Sequence, residues 1–337
     1  MATTYEGIMS GLQGKRYKPI YFLAGEEPYY IDLISDYVEQ NVLMDAEKAF
    51  NQIVVYGNDT NIYNIIDQAR RFQMMASHQV IIVKEAQGLD KIDELTKYLE
   101  NPLESTILVI CYKYKALDKR LSLYKKLEKL DCYFESKKLR DYQVPAWIEN
   151  YLASKKITST PEAREMLTSF LGEDLQKIAN ELEKLIMTLP KEKRAITPDL
   201  IEKNIGISKA YNNFELQKAI GNRDIYQANA IIKYFTENPK SNPIQVTMSV
   251  LYGFFSKLLI YHSLKPNERD KATVASKLKI NPYFVDDYSR AARNYPLGKT
   301  IEIISILRTY DTKSKGFNDG GTDAGELLKE MAFMIMH

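Results

Sequence analysis

The sequence predicts an α/β parallel-sheet domain, then a small helical domain, then an all-α domain. Three observations lead there. Between residues 19 and 134, short continuous apolar runs alternate with helical stretches, the pattern of parallel strands covered on both faces. After Arg140 only helical periodicity remains. At 337 residues the chain is too long for one ordinary core, so two or three domains are expected. The boundaries fall at 1–140, 141–208 and 209–337.

Residues 19–24 read as a buried strand, Gly25 as the turn and 29–40 as a helix. Residues 53–56 form a short apolar strand closed by Gly57, Asn58 and Asp59. A helix is predicted over 62–72, a second buried strand over 79–83, a helix over 92–99 and the longest strand over 106–112. Residues 121–130 are helical and 132–134 a short strand. In the second region 144–152 is helical. Thr160 and Pro161 then give an N-cap with proline at the first helical position. Leu175, Ile178, Leu182, Leu185 and Ile186 make one stripe, and Thr197, Pro198 and Asp199 repeat the cap signature. In the third region Ile225, Ala228, Ile231, Ile232 and Phe235 share a face, and Asn242 with Pro243 caps a very apolar helix reaching about residue 264. Helices over 271–278, 282–294, 300–310 and 326–336 follow, with a flexible break at 316–321. Such a bundle suits an assembly surface.

Net charge is +2, so contact with nucleic acid would need a local patch. Cys111 and Cys132 are the only cysteines; both sit in apolar surroundings and lack metal or redox spacing. Residues 1–18 hold no apolar segment of signal length, and no stretch reaches the roughly 18 apolar residues of a membrane span. A reduced, cytoplasmic protein without membrane contact is expected. Of the 24 tyrosines, Tyr112, Tyr114 and Tyr124 alternate with lysines, which fits base stacking or amphipathic packing.

The strand–turn–helix at 19–40 has the outline of a phosphate-binding loop without its ligands. Counted from Gly25, the second glycine, the lysine and the hydroxyl of that loop are replaced by Tyr30, Ile31 and Asp32. Glu26 and Glu27 put carboxylates where phosphate oxygens would sit. The strand at 79–83 ends in Lys84 and Glu85, where a nucleotide hydrolase needs a metal-binding aspartate and a catalytic glutamate. The helix opening at Gly172 offers Gln176 or Lys177 where an arginine would reach phosphate. His78, His262 and His337 have no metal-ligand spacing. No catalytic residue, cofactor or metal site is expected.

Phe72, Met74 and Met75 crowd three large apolar groups into one short connection. They either tuck under the sheet or form a wedge for a partner's pocket, a role that suits adaptable methionine. Burying both methionines would contribute roughly 3–6 kcal/mol, at about 1.5–3 each. That corresponds to affinities from millimolar to tens of micromolar before ordering costs. Lys113, Lys115, Lys119, Arg120, Lys125, Lys126 and Lys129, continuing to Lys137, Lys138 and Arg140, are a second candidate. They could meet DNA phosphates, meet an acidic partner, or form a solvated face. Residues 272–285 have a helix-turn-helix outline, but few groups that read bases.

The order of these parts resembles the delta-subunit family of the bacterial DNA polymerase III clamp loader, over nearly the full length. The resemblance rests on YFLAGEEP at 21–28, MMASHQVIIV at 74–83, ALDKRL at 116–121, and GEDL at 172–175 leading into NELEKL at 180–185. It implies an AAA+-like sheet domain, a helical lid and a C-terminal collar. It also implies a subunit that hydrolyses no ATP, binds the ring-shaped sliding clamp (beta) and opens one of its interfaces. Partners would be delta-prime and the gamma/tau subunits, with primer-template DNA reached through the assembled complex. The family's clamp-binding element commonly carries a Leu–Phe-like pair, and the matching positions here are Met74 and Met75, beside Phe72. The rival readings are an atypical AAA+ NTPase and a DNA-binding helical regulator using residues 272–294.

Overall fold

A computed structural model describes residues 4–189, 194–206, 208, 210–317 and 321–337. The chain divides into two compact units, Met1–Leu139 and Arg140–His337.

The first unit runs α1 (Tyr5–Gln13), β1 (Ile20–Gly25), α2 (Pro28–Asn41), α3 (Asp45–Asn51), β2 (Gln52–Tyr56), α4 (Ile62–Ala69), β3 (Gln79–Lys84), β4 (Thr106–Lys113), α5 (Ser122–Lys129) and β5 (Tyr133–Ser136). Its five strands pair in the order β2-β3-β4-β1-β5, all parallel. Alternation along β1 sends Ile20, Phe22 and Ala24 into one apolar layer with residues of α4 and α5. Tyr21 and Leu23 join the opposite layer with α1 and α2. Both faces are therefore buried, which is why the strands read as continuous apolar runs.

The sequence left four features of this unit unread. Helices α1 and α3 were not predicted; Thr4 caps α1 by accepting the Gly7 N–H at 3.1 Å. The helix expected over 62–72 stops at Ala69, where the Thr106 hydroxyl donates to the Ala69 carbonyl at 3.0 Å. Residues 92–99 form a short 3₁₀ segment, Ile92–Lys97, and the last strand begins at Tyr133 and ends at Ser136.

The second unit contains α6 (Val144–Ser154), β6 (Thr158–Ser159), α7 (Pro161–Leu171), α8 (Leu175–Thr188), β7 (Ala195–Ile196), α9 (Pro198–Ile205), α10 (Asn213–Gly221), α11 (Ile225–Glu237), α12 (Ile244–Ser263), α13 (Lys271–Leu278), α14 (Val285–Asn294), α15 (Leu297–Ser314) and α16 (Ala324–Met336). The expectation of helices alone is corrected by the parallel pair β6–β7. Thr160 caps α7 by accepting the Ala163 N–H at 3.2 Å, whereas Thr197 makes no side-chain cap bond. Residues 282–294 split into a 3₁₀ turn, Pro282–Phe284, and α14. Residue 209 and residues 318–320 of the expected break lie outside the described residues.

Contrary to the sequence expectation, α12 is long and apolar enough to cross a membrane by length and composition. Its apolarity has a simpler cause. Leu251, Phe254, Phe255 and Leu258 are buried in the helical core with residues of α11, α15 and α16. His262 on this helix is satisfied, its Nε2–H donating to the Tyr295 carbonyl at 2.8 Å.

Candidate functional site

Strand β1 leads toward one side of the sheet, to β2, and its neighbour β4 toward the other, to β5. The crevice between their carboxyl ends is the topological switch point, where a doubly wound sheet receives its ligand. Here the chain fills its own crevice. The Gly25 N–H donates to the Lys115 carbonyl at 3.0 Å and the Glu27 N–H to the Ser136 carbonyl at 3.2 Å. The Tyr29 N–H donates to the buried Glu27 carboxylate at 3.0 Å. These amides would face the anion in a phosphate loop, and each has an internal acceptor. Gly25 itself has φ +139°, and a Cβ there would stand 1.9 Å from the Ser136 oxygen. The glycine serves close packing against β5.

Side chains complete the plug. Asp32, at the magnesium-binding hydroxyl's position, pairs with Lys113 at 2.6 Å, and Lys113 lies 3.9 Å from Glu85. Lys84, at the metal-binding aspartate's position, pairs with Glu39 at 2.8 Å and Asp36 at 3.8 Å. Burial alone would lower the pKa of both lysines. Asp32, Cys111 and Glu85 together outweigh burial at Lys113, and Glu39, Asp36 and Tyr56 together do so at Lys84, so both end above the ordinary value and stay charged. Burial raises the Asp36 pKa, against the pull of Lys84. The Lys113 N–H donates to the Gln87 side-chain oxygen at 3.1 Å. The cations at this seat are therefore already neutralised by carboxylates of the same chain. No group of three or more His, Cys, Asp or Glu able to hold a metal ion occurs among the described residues.

The connection after α4 is the opposite case, since it is open. Phe72 is 78% and Met74 63% exposed, and Met75 is fully exposed. Met75 has φ +54°, an uncommon conformation for a residue other than glycine. The tip is nonetheless held. Asn51, 1% exposed, accepts the Met74 N–H at 2.6 Å and donates to the Met74 carbonyl at 2.8 Å. Sequence reasoning found the apolar side chains and missed the amide that holds their backbone.

Part of the basic run is paired. Besides Lys113, Lys119 lies 3.7 Å from Glu135, Arg120 pairs with Asp118 at 2.6 Å, and Lys126 with Glu100 at 3.0 Å. Lys115 stands 5.0 Å over the Tyr112 ring, and Lys125 is exposed. Tyr124 is buried against Tyr133, with ring centroids 4.9 Å apart.

Residues 21–137 match the family model described as DNA polymerase III, delta subunit. Residues 210–332 match the model described as DNA polymerase III delta subunit, C-terminal domain. The chain belongs to the DNA polymerase III delta-subunit family. A relative, the DNA polymerase III subunit delta of Bacillus subtilis, is 26% identical over 322 residues, covering 91% of each chain. The structure of the Bacillus subtilis DNA clamp loader delta protein superposes with a TM-score of 0.55 at 22% identity, covering 99% of each chain. The fold is thus the AAA+-like delta-subunit fold, a five-stranded parallel sheet followed by helices.

Within this delta-subunit chain, the first matched segment holds both the plugged crevice and the exposed tip. The second holds the 271–294 hairpin, where Val274, Leu278, Val285 and Tyr288 are buried in the bundle core. The first turn of α14 carries Asp286 and Asp287, which would repel DNA phosphates. A cavity of about 720 Å³ in the second unit brings Glu165 and Lys257 together, a pair not singled out from sequence. Burial raises the Glu165 pKa and lowers that of Lys257, while the two charges attract.

Proposed function

We propose that this delta subunit binds the sliding clamp through Phe72, Met74 and Met75 and opens one interface of the ring, without hydrolysing ATP itself. The observation that carries the reading is the tip. Three large apolar side chains stand in solvent on a backbone held by Asn51. Burying them in a partner's pocket would contribute about 1.5–3 kcal/mol each, and a tip that is already ordered loses less entropy on binding. The ring opens if the tip binds the open interface more tightly than the closed one, because the difference in affinity shifts the ring's equilibrium. The similar Bacillus subtilis structure bears the name DNA clamp loader delta protein, which supports the same role. The internally neutralised crevice supports a role in grip rather than hydrolysis.

In this reading residues 141–208 act as the lid and 209–337 as the collar that packs against delta-prime and the gamma/tau subunits. In favour of that division, one hydrophobic cluster of the second unit draws only on residues from Leu216 to Met336. Lys115, Lys125 and the paired cations around them meet primer-template DNA only within the assembled complex, in the cytoplasm.

The test is titration of the full chain against the sliding clamp of the same organism, repeated with Met74→Asp and Met75→Asp together. Each variant puts a charge where an apolar contact is needed. Binding by the parent and a loss of about 100-fold or more in the double variant, about 2.8 kcal/mol, are expected. No binding by the parent, or undiminished binding by the variant, refutes the wedge.

A further inference from the structure

We propose that the clamp-binding surface is bipartite: the 72–75 tip is joined through the Asn51 side chain to the last turn of α3, and Phe50 on that turn is a second apolar anchor. The inference rests on the clamp-binding reading above and adds to it the joint and the anchor.

Asn51 treats Met74 as a neighbouring strand would. Its side-chain oxygen accepts the Met74 N–H at 2.6 Å. Its side-chain nitrogen donates to the Met74 carbonyl at 2.8 Å and to the Glu47 carbonyl, one turn back in α3, at 3.1 Å. Acceptor and donor are needed side by side, and a side-chain amide supplies both. Met74 and Asn51 are 23 residues apart in sequence, so the amide pins two distant segments to each other. The pinned backbone leaves the Met74 and Met75 side chains in solvent and holds Met75 at φ +54°.

Phe50 immediately precedes the joint and is 73% exposed. A phenylalanine on a helix end is stabilised by burial, and this one has little within its own chain. A second apolar contact on the same partner, beside the one that takes the methionines, explains it. The clamp then buries Phe50 together with Met74 and Met75, and Asn51 acts as the positioning residue that sets their spacing. A pre-set spacing lowers the entropy lost on binding.

The experiment is clamp titration with the full chain and its variants, together with amide hydrogen exchange of the free chain. Phe50→Ala alters an exposed side chain, so the melting temperature stays put while clamp affinity falls about tenfold, about 1.4 kcal/mol. Asn51→Leu removes both hydrogen bonds to Met74 and weakens binding at least as much. In the parent chain the Met74 amide exchanges far more slowly than an open-loop amide, and in Asn51→Leu it exchanges at the open-loop rate. Asn51→Asp is the sharper variant. At about pH 7.5 its carboxylate faces the Met74 carbonyl and binding is weak. Burial raises the pKa of such a carboxyl, and near pH 5.5 the protonated form both accepts and donates, so its deficit relative to the parent shrinks.

Parent binding that is unchanged by Phe50→Ala overturns the second anchor. A Met74 amide that exchanges at the open-loop rate in the parent overturns the joint. If the parent does not bind the clamp at all, the clamp-binding reading itself falls, a result separable from the other two.

Discussion

Replacing Gly25 with alanine places a methyl carbon 1.9 Å from the Ser136 carbonyl oxygen, in a backbone conformation, φ +139°, that side chains rarely adopt. Real Cβ contacts stay beyond 3.0 Å, so β5 would have to retreat by about 1.1 Å. That retreat breaks the 3.2 Å bond from the Glu27 N–H to the Ser136 carbonyl and loosens the β1–β5 register at Ala24 and Glu135. The backbone conformation costs on the order of 1–3 kcal/mol. Each lost hydrogen bond adds about 0.5–1.5 kcal/mol. Together these give about 1.5–4.5 kcal/mol, a large share of a domain's stability of about 5–15 kcal/mol. Amide hydrogen exchange on the full chain resolves where the loss falls. Protection of β1 and β5 is expected to drop at least about tenfold, while amides between Leu216 and Met336 keep their rates. Unchanged protection in β1 and β5, or an equal loss throughout the chain, refutes the close packing of Gly25 on β5.

Lys113→Met leaves Asp32 beside the sheet without its cation. Because Asp32 is partly exposed, solvent screening holds the expected loss to about 1–2 kcal/mol in urea unfolding. Adding Asp32→Asn restores most of it, and a double-mutant cycle with no coupling would count against the ion-pair plug. Burial pushes the Cys111 thiol from 9.0 up to about 12. Its folded pKa lies above the unfolded value, so its contribution is complete below about pH 9 and is lost as the pH climbs toward 12. At pH 10.5 this amounts to about 2 kcal/mol. Cys111→Ala should flatten the alkaline fall in stability by about that amount, measured by unfolding at pH 8 and 10.5.

The sheet was legible because its strands are buried on both faces. Runs such as Val80–Val83 need no partner information to be recognised as strands. The emptied phosphate loop was legible too, since Tyr30, Ile31 and Asp32 exclude the usual ligands by type alone. What replaces those ligands was not. Lys113 reaches Asp32 from the far end of β4, and local sequence carries no trace of that pairing. The same limit explains the helix that stops at Ala69 rather than Phe72, because the hydroxyl that takes the Ala69 carbonyl comes from Thr106. It explains the basic run as well, read as a free surface although Glu85, Glu100 and Glu135 partner several of its members. Asn51 was hidden twice over, in a helix that went unpredicted and in a contact across 23 residues. The acidic first turn at Asp45 and Glu47 was the available signal for that helix. Helix α12 has the length and apolarity of a membrane span, yet Leu251, Phe254, Phe255 and Leu258 on it are buried in the helical core.

The most direct measurement is calorimetric titration of the sliding clamp with this chain alone, once with saturating Mg-ATP and once with nucleotide removed and a chelator present. A seat already filled by Asp32, Lys113 and Glu85 predicts one Kd under both conditions and no heat from nucleotide added to the chain by itself. A grip that appears only with Mg-ATP, or Mg-nucleotide found seated beside Gly25, would contradict it.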